Sequence, residues 1–184
     1  MMVAGTPSPP VEIPPAQRRL LTRAAAALPS PSLVIFGSAI WGILMAATVM
    51  AGMWLRNGMS TTNLVAIISV YFYGGSLAFA PAVWLGEFLF GRRGTIARFV
   101  GGTLIVAIAV HAATSGIFAL QYRAFYAHWH NDFPSIVWFF QFGFTTVGGV
   151  FTFTVGSLAY YWPLSCLAVL GFGLWFARRG AKAH

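Results

Sequence analysis

Two histidines and an aspartate lie close together in the segment "HWHND", which contains His128, His130 and Asp132. Residues two apart share a face on an extended strand but not on a helix. Two imidazoles and a carboxylate are ligands that Zn(II) or Cu(II) accepts, so an extended segment could hold a metal ion together with a further ligand. The alternatives are a pH-sensing or substrate-contacting role and a solvated loop with interfacial aromatic side chains.

His111 stands in a different setting, inside the apolar run "AIAVHAATSG". An ionisable side chain at membrane depth is functional by default and is expected to face the interior of a helix bundle. His111 is therefore a candidate ligand-binding or proton-pathway residue, and the alternative is a neutral histidine bonded to a hydroxyl or carbonyl group across helices. Haem ligation by two histidines needs a second membrane histidine, and no other histidine lies in an apolar run, so no cofactor is predicted.

Glu87, in "WLGEFLFGRR", is the carboxylate that lies nearest to an apolar run. It is a candidate coupling carboxylate in a proton pathway. The alternative is an ion pair at the membrane interface with Arg92 or Arg93, which follow it closely in the sequence.

The last apolar stretch is the richest in uncharged hydrogen-bonding side chains, among them Gln141, Thr145 and Tyr160. With His111 they could line a polar path or a small cavity between the third span and this stretch. The alternative is that these groups only satisfy backbone atoms near the bend that Pro163 introduces. No phosphate-binding loop, nucleophile elbow or HExxH motif is present, so no catalytic residue is predicted.

The elements that carry these residues follow from a composition that is 58% hydrophobic and only 8% charged. Soluble domains carry about 25% charged residues, so the chain is predicted to be an all-α, polytopic membrane helix bundle. The net charge of +8 would suggest nucleic acid in a soluble protein. Here the basic residues flank apolar runs, which indicates orientation in a bilayer and no nucleic-acid partner.

Residues 1–32 hold seven of the ten prolines and are predicted to be a flexible cytoplasmic tail. Within that tail, residues 17–28 could form a short helix on the membrane surface. Residues 33–177 are predicted to form the membrane bundle, and residues 178–184 a basic cytoplasmic tail.

A membrane-crossing helix needs about 20 apolar residues. Spans are predicted at about 33–55, 62–88 and 99–120. Residues 133–177 carry no formal charge and allow two arrangements, one of which has a membrane-dipping segment at 135–148 followed by a fourth span at 149–177.

The alternative arrangement has five spans, with a break at "GSLAYYWP". Four spans place nine basic residues inside and two outside, whereas five spans place six inside and five outside. The positive-inside bias favours four spans with both termini in the cytoplasm.

The predicted function is that of a non-enzymatic, multi-pass protein of a bacterial-type inner (plasma) membrane, acting as an accessory, assembly or regulatory subunit of a membrane complex. Its expected partners are the lipid bilayer and another membrane protein or a second copy of the chain. The main alternative is a small transporter or ligand-binding module with a site around His111 and the last apolar stretch. An enzyme acting on a lipid-linked substrate is a third possibility, with a histidine as its base.

Overall fold

A computed structural model of the chain describes residues 14–181. This part of the protein is helical, without strands. The helices are α1 (Pro15–Ala26), α2 (Pro31–Leu55), α3 (Leu64–Phe90), α4 (Thr95–Tyr126), α5 (Ile136–Tyr161) and α6 (Leu164–Ala181), and short 3-10 helices lie at Gly58–Ser60 and Ala127–Trp129.

The ends of α2 show why the sequence makes helices at these positions. The hydroxyl of Ser30 accepts a hydrogen bond from the Leu33 N–H at 3.4 Å, and Pro31 occupies the first helical position. Both features favour a helix start. Past the other end, Asn57 adopts a left-handed backbone with φ of 56°, a conformation that cannot continue a right-handed helix.

Four stretches in this part of the chain are long and apolar enough to cross a membrane: Pro31–Leu55, Leu64–Phe90, Thr95–Trp129 and Ile136–Ser157. The first three agree with the predicted spans at 33–55, 62–88 and 99–120. The all-helical class and the number of four such helices are therefore confirmed.

The last part of the chain differs from the prediction. Residues 136–161 form one continuous helix, so the predicted dipping segment at 135–148 does not form as a separate half-helix. The predicted single span at 149–177 is divided between α5 and α6 at Trp162 and Pro163. The backbone of Trp162 is extended, with φ of −91° and ψ of 135°, and a following proline disfavours the helical conformation of the residue before it.

Contacts along the bundle show the direction of each helix. The guanidinium of Arg123, near the end of α4, stacks on Phe142 in the first half of α5 with 4.0 Å to the ring centroid. At the other end of the bundle, Arg98 near the start of α4 donates to the carbonyl of Phe176 near the end of α6. Helices α5 and α6 therefore run the same way, antiparallel to α4.

We call one end of the bundle the basic end and the opposite one the far end. At the basic end α2 begins, α3 ends, α4 begins and α6 ends. Helix α1 also lies at the basic end, because Trp84 Nε1 donates to Ala24 O at 3.0 Å and Arg23 donates to Phe88 O. Of the ten described basic residues, two lie at the far end, Arg56 and Arg123. The other eight lie at the basic end: Arg18, Arg19, Arg23, Arg92, Arg93, Arg98, Arg178 and Arg179.

The predicted terminal tails are only partly described. Residues 15–26 of the predicted flexible tail form helix α1, which agrees with the possible helix at 17–28. Its position on the membrane surface stays a prediction. Residues 1–13 lie outside the described range. Residues 178–181 of the predicted basic tail are the last turn of α6, and residues 182–184 lie outside the described range.

The core is closely packed where α6 meets α3 and α4. The ring of Phe176 is fully buried, and Cβ atoms added at Gly86 and Gly102 would lie 2.9 and 2.7 Å from it. A side chain at either glycine would therefore push the ring out, and these glycines allow α6 to pack closely.

Candidate functional site

The most highly connected side chain of the described residues is Arg98, at the basic end. It is 3% exposed. Its Nη1 and Nη2 donate to the two carboxylate oxygens of Glu87 at 3.1 and 2.9 Å. The same nitrogens donate to Gly91 O at 3.0 Å and Phe176 O at 3.1 Å, and the guanidinium stacks over the Phe176 ring with 4.4 Å to its centroid. Arg98 thus joins α3, the α3–α4 turn and α6.

The two hydrogen bonds from Arg98 give Glu87 a different partner from the one expected. The predicted partner was Arg92 or Arg93, but the carboxylate pairs with Arg98, and Arg179 Nε lies 3.9 Å from Glu87 Oε1. A bidentate pair with a guanidinium fixes the geometry of the carboxylate. Of the two hypotheses for Glu87, this arrangement fits the ion pair and not the proton-pathway carboxylate, although the partner is a different arginine.

His111 is bonded across helices at the middle of α4. Its Nε2 lies 3.1 Å from Thr154 Oγ1 of α5. The Thr154 hydroxyl donates its proton to Val150 O at 2.8 Å, so it accepts from His111 Nε2–H. This geometry fits a histidine bonded to a hydroxyl across helices, which is one of the two possibilities that the sequence allowed.

Two further polar contacts repeat this arrangement. Thr114 donates to Val110 O and accepts from the Tyr161 hydroxyl at 3.0 Å. Thr48 donates to Met45 O at 2.9 Å and accepts from the Ser165 hydroxyl at 2.9 Å. In each case the threonine hydroxyl donates to a carbonyl of its own helix and accepts from a hydroxyl of another helix. These contacts link α5 and α6 to the rest of the bundle.

Gln141 and Thr145 do not join His111. The Gln141 Oε1 accepts from the Asn131 N–H at 2.9 Å, near the far end. The Thr145 hydroxyl donates to Gln141 O at 2.7 Å within α5. The five candidates His111, Glu87, Gln141, Thr145 and Tyr160 therefore do not form a single site, because Glu87 lies at the basic end and Gln141 at the far end.

Tyr160 lies elsewhere, beside a lateral cleft between α3, α4 and α5 in the far half of the bundle. The cleft has a volume of about 530 Å³. Its polar lining side chains are Thr61, Asn63, Tyr71, Gln121, Thr152, Ser157 and Tyr160, and its apolar ones include Ile67, Val70, Phe118 and Phe153. The Ser157 hydroxyl is buried beneath this lining and lies beside Tyr71. The lining is uncharged and amphipathic, which suits an uncharged ligand or an apolar partner with a few polar groups.

The "HWHND" residues do not gather around a common point. The ring of His128 packs against Trp129 at a centroid distance of 4.5 Å. Between residues 14 and 181, no three His, Cys, Asp or Glu side chains lie close enough together to hold a metal ion. The metal-site hypothesis for His128, His130 and Asp132 therefore has no geometric support, whereas the packed aromatic rings fit a loop at a membrane interface.

The sequence reasoning missed Arg98, Thr154 and Ser165 as partners. Nothing in their local sequence distinguishes them, since each bonds to a residue that only the packing of helices brings near. Together the observations describe an all-helical protein with four helices able to cross a membrane, an ion pair joining three segments at one end and a polar cleft in the other half. Comparison of the chain with models of known protein families, with curated proteins and with solved structures found no match.

Proposed function

We propose that this chain is a multi-pass protein of a bacterial-type inner membrane with four crossings, the last one made of α5 and α6 in series. The charge difference between the two ends, eight basic residues against two, supports a cytoplasmic basic end through the positive-inside bias. Both described ends of the chain then face the cytoplasm.

Reporter fusions test this topology. A reporter that is active only in the cytoplasm, fused after His184, should be active, and a periplasm-only reporter should be active when inserted at Asn131. A periplasm-only reporter that is active after His184 would instead establish five crossings.

The proposed role is that of a non-enzymatic accessory, assembly or regulatory subunit of a membrane complex. The observation that carries it is the lateral cleft between α3 and α5. Polar side chains that face lipid are costly unless a partner satisfies them. A transmembrane helix of a partner, with small polar groups on one face, would fill the cleft and bond its hydroxyl and amide groups.

The state of the ionisable groups in the bundle agrees with this role. Glu87 is held by Arg98 and His111 by Thr154. Glu87 lines a pocket at the basic end, but both of its oxygens are bonded to Arg98, and His111 does not line the cleft.

Gly156 offers a direct test, because it lines the cleft and a Cβ there would meet no atom within 4 Å. Gly156→Leu should fill the cleft while leaving the fold intact. Gly143→Leu is the matched control, since Gly143 lies on the same helix, is equally open and does not line the cleft.

The measurement is purification from native membranes in mild detergent. The partner should co-purify with the wild type and Gly143→Leu but be lost with Gly156→Leu. A lone monomer in several detergents, or a partner that Gly156→Leu retains, would count against the subunit role.

The uncharged, amphipathic lining of the cleft favours a second candidate, a module that binds an uncharged amphipathic molecule there. Mass spectrometry of the purified protein separates the two. A small molecule retained by wild type and Gly143→Leu but absent from Gly156→Leu, with no co-purifying protein, would support the module and contradict the subunit role.

A further inference from the structure

A pocket at the basic end is built from three separate segments that each bring an arginine. Arg23 comes from α1, Arg92 from the α3–α4 turn and Arg179 from α6. The pocket has a volume of about 240 Å³, and the floor contributed by α3 includes Glu87. Because Arg98 already holds both oxygens of that carboxylate, the charge of Glu87 is balanced before the other arginines are counted. The pocket therefore has an excess of positive charge.

An apolar groove adjoins this pocket along the outside of the bundle. It runs between the start of α2 and the last turns of α6, with a volume of about 690 Å³. Its lining is Leu33, Gly171, Leu174, Trp175, Arg178 and Arg179. Arg179 borders both spaces, so a cationic pocket and an apolar groove meet at one side chain.

This juxtaposition matches the shape of one class of molecule. An anionic headgroup needs several cationic donors at the membrane surface, and an acyl chain needs an apolar groove that runs from that surface into the bilayer. Basic pockets between helices on the cytoplasmic side of membrane proteins suit acidic lipid headgroups. A soluble anion would use the pocket but gain nothing from the groove.

We propose that the basic end binds an anionic phospholipid, with its phosphate between Arg23, Arg92 and Arg179 and an acyl chain in the groove between α2 and α6. The bound lipid bridges α1, α2 and α6, which stabilises the surface helix against the bundle. The site is separate from the cleft in the far half and does not depend on what the cleft holds.

Two sets of variants address the two halves of the site. Arg92→Gln combined with Arg179→Gln removes two headgroup donors and leaves the ion pair of Arg98 with Glu87 in place. Gly171→Leu fills the groove without a clash, because a Cβ at Gly171 would meet no atom within 4 Å. Arg56→Gln, an exposed arginine at the far end, is the control for loss of positive charge.

The experiment measures the thermal unfolding of the full chain in an uncharged detergent with added phosphatidylglycerol, phosphatidylcholine or inorganic phosphate. Phosphatidylglycerol should raise the unfolding temperature of wild type and Arg56→Gln, whereas phosphatidylcholine should not. The double arginine variant should need on the order of tenfold more phosphatidylglycerol for the same shift, since each basic side chain near the surface contributes about 1 kcal/mol. Gly171→Leu should also weaken the effect.

Three results would overturn the proposal. Equal stabilisation by phosphatidylcholine would remove the role of charge, and an unchanged response of the double arginine variant would place the lipid elsewhere. If inorganic phosphate reproduced the whole shift and Gly171→Leu had no effect, the pocket would be a site for a free anion and not for a lipid.

Discussion

The two ends of the bundle are held together by different interactions. At the basic end, one buried guanidinium bonds to a carboxylate and two backbone carbonyls and stacks on a ring, so that three segments meet at Arg98. In the far half, single hydroxyl and imidazole contacts such as that of His111 with Thr154 link α5 to α4.

The difference has a consequence for shape. The closely packed glycines and the arginine fork leave little space around Phe176, which is fully buried. In the far half, α5 packs mainly on α4 and leaves a cleft on its side toward α3. Strong polar contacts thus coincide with a closely packed interior around Phe176, and weaker ones with a cleft that opens between the helices. Three variants, from the largest expected effect to the smallest, test this comparison.

Arg98→Gln should cause the largest loss of stability. It leaves Glu87 without its two strongest donors and the Phe176 carbonyl without a partner. Removing one member of a buried ion pair costs about 3–5 kcal/mol, and the partial exposure of Glu87 places the expected loss near the lower limit. Unfolding by denaturing detergent measures it. Arg93→Gln, an exposed arginine five residues earlier, is the control and should change stability by less than about 0.5 kcal/mol. Equal losses of stability in the two variants would show that the hydrogen bonds of Arg98 do not stabilise the basic end.

Gly74→Ala should have an intermediate effect at the contact between α3 and α4. A Cβ on Gly74 would lie 2.8 Å from the Cα of Thr114, so the backbones would have to separate. Overpacking of this kind costs about 1–3 kcal/mol. Gly116→Ala on α4 is the matched control, because a Cβ there meets no atom within 4 Å and alanine favours helix. Thermal unfolding should rank Gly74→Ala below the wild type and Gly116→Ala at or above it. The opposite order would contradict the close contact.

The coupling between His111 and Thr154 should be the smallest of the three. Interhelical hydrogen bonds in membranes are worth about 0.6 kcal/mol on average, and a double-mutant cycle of His111→Ala with Thr154→Val should give a value of that order. The same cycle with Thr152→Val, which alters a cleft-lining hydroxyl two residues away on α5, should give no coupling. A His111–Thr154 coupling as large as the loss in Arg98→Gln would remove the proposed contrast between the ends.

Much of the fold could be predicted because it depends on local properties. The lengths of the apolar runs identify α2, α3 and α4, and the arginines beside them indicate which ends lie together. The α3–α4 turn and the end of α6 can be recognised as basic from the sequence alone, because the segments "GRRGTIAR" and "ARRG" contain their arginines.

The candidate site was less predictable. The sequence identified Glu87 and His111 as residues that need partners, because a polar group in an apolar run must be satisfied. It did not identify the partners, since Arg98 is eleven residues from Glu87 and Thr154 is 43 residues from His111. Proximity in the chain pointed to Arg92 or Arg93, but the helical hairpin of α3 and α4 turns Arg98 back against the last turn of α3.

The sequence by itself determined the class of protein and the first three long apolar helices, because composition and hydropathy act on each segment separately. The tertiary structure alone decided that residues 136–161 form one helix, that α6 continues in the same direction and that a cleft opens beside α5. Those features depend on which helix faces meet, and in this chain many apolar faces are chemically alike. Their pairing is decided by close contacts at a few glycines and by single hydrogen bonds between residues far apart in the sequence.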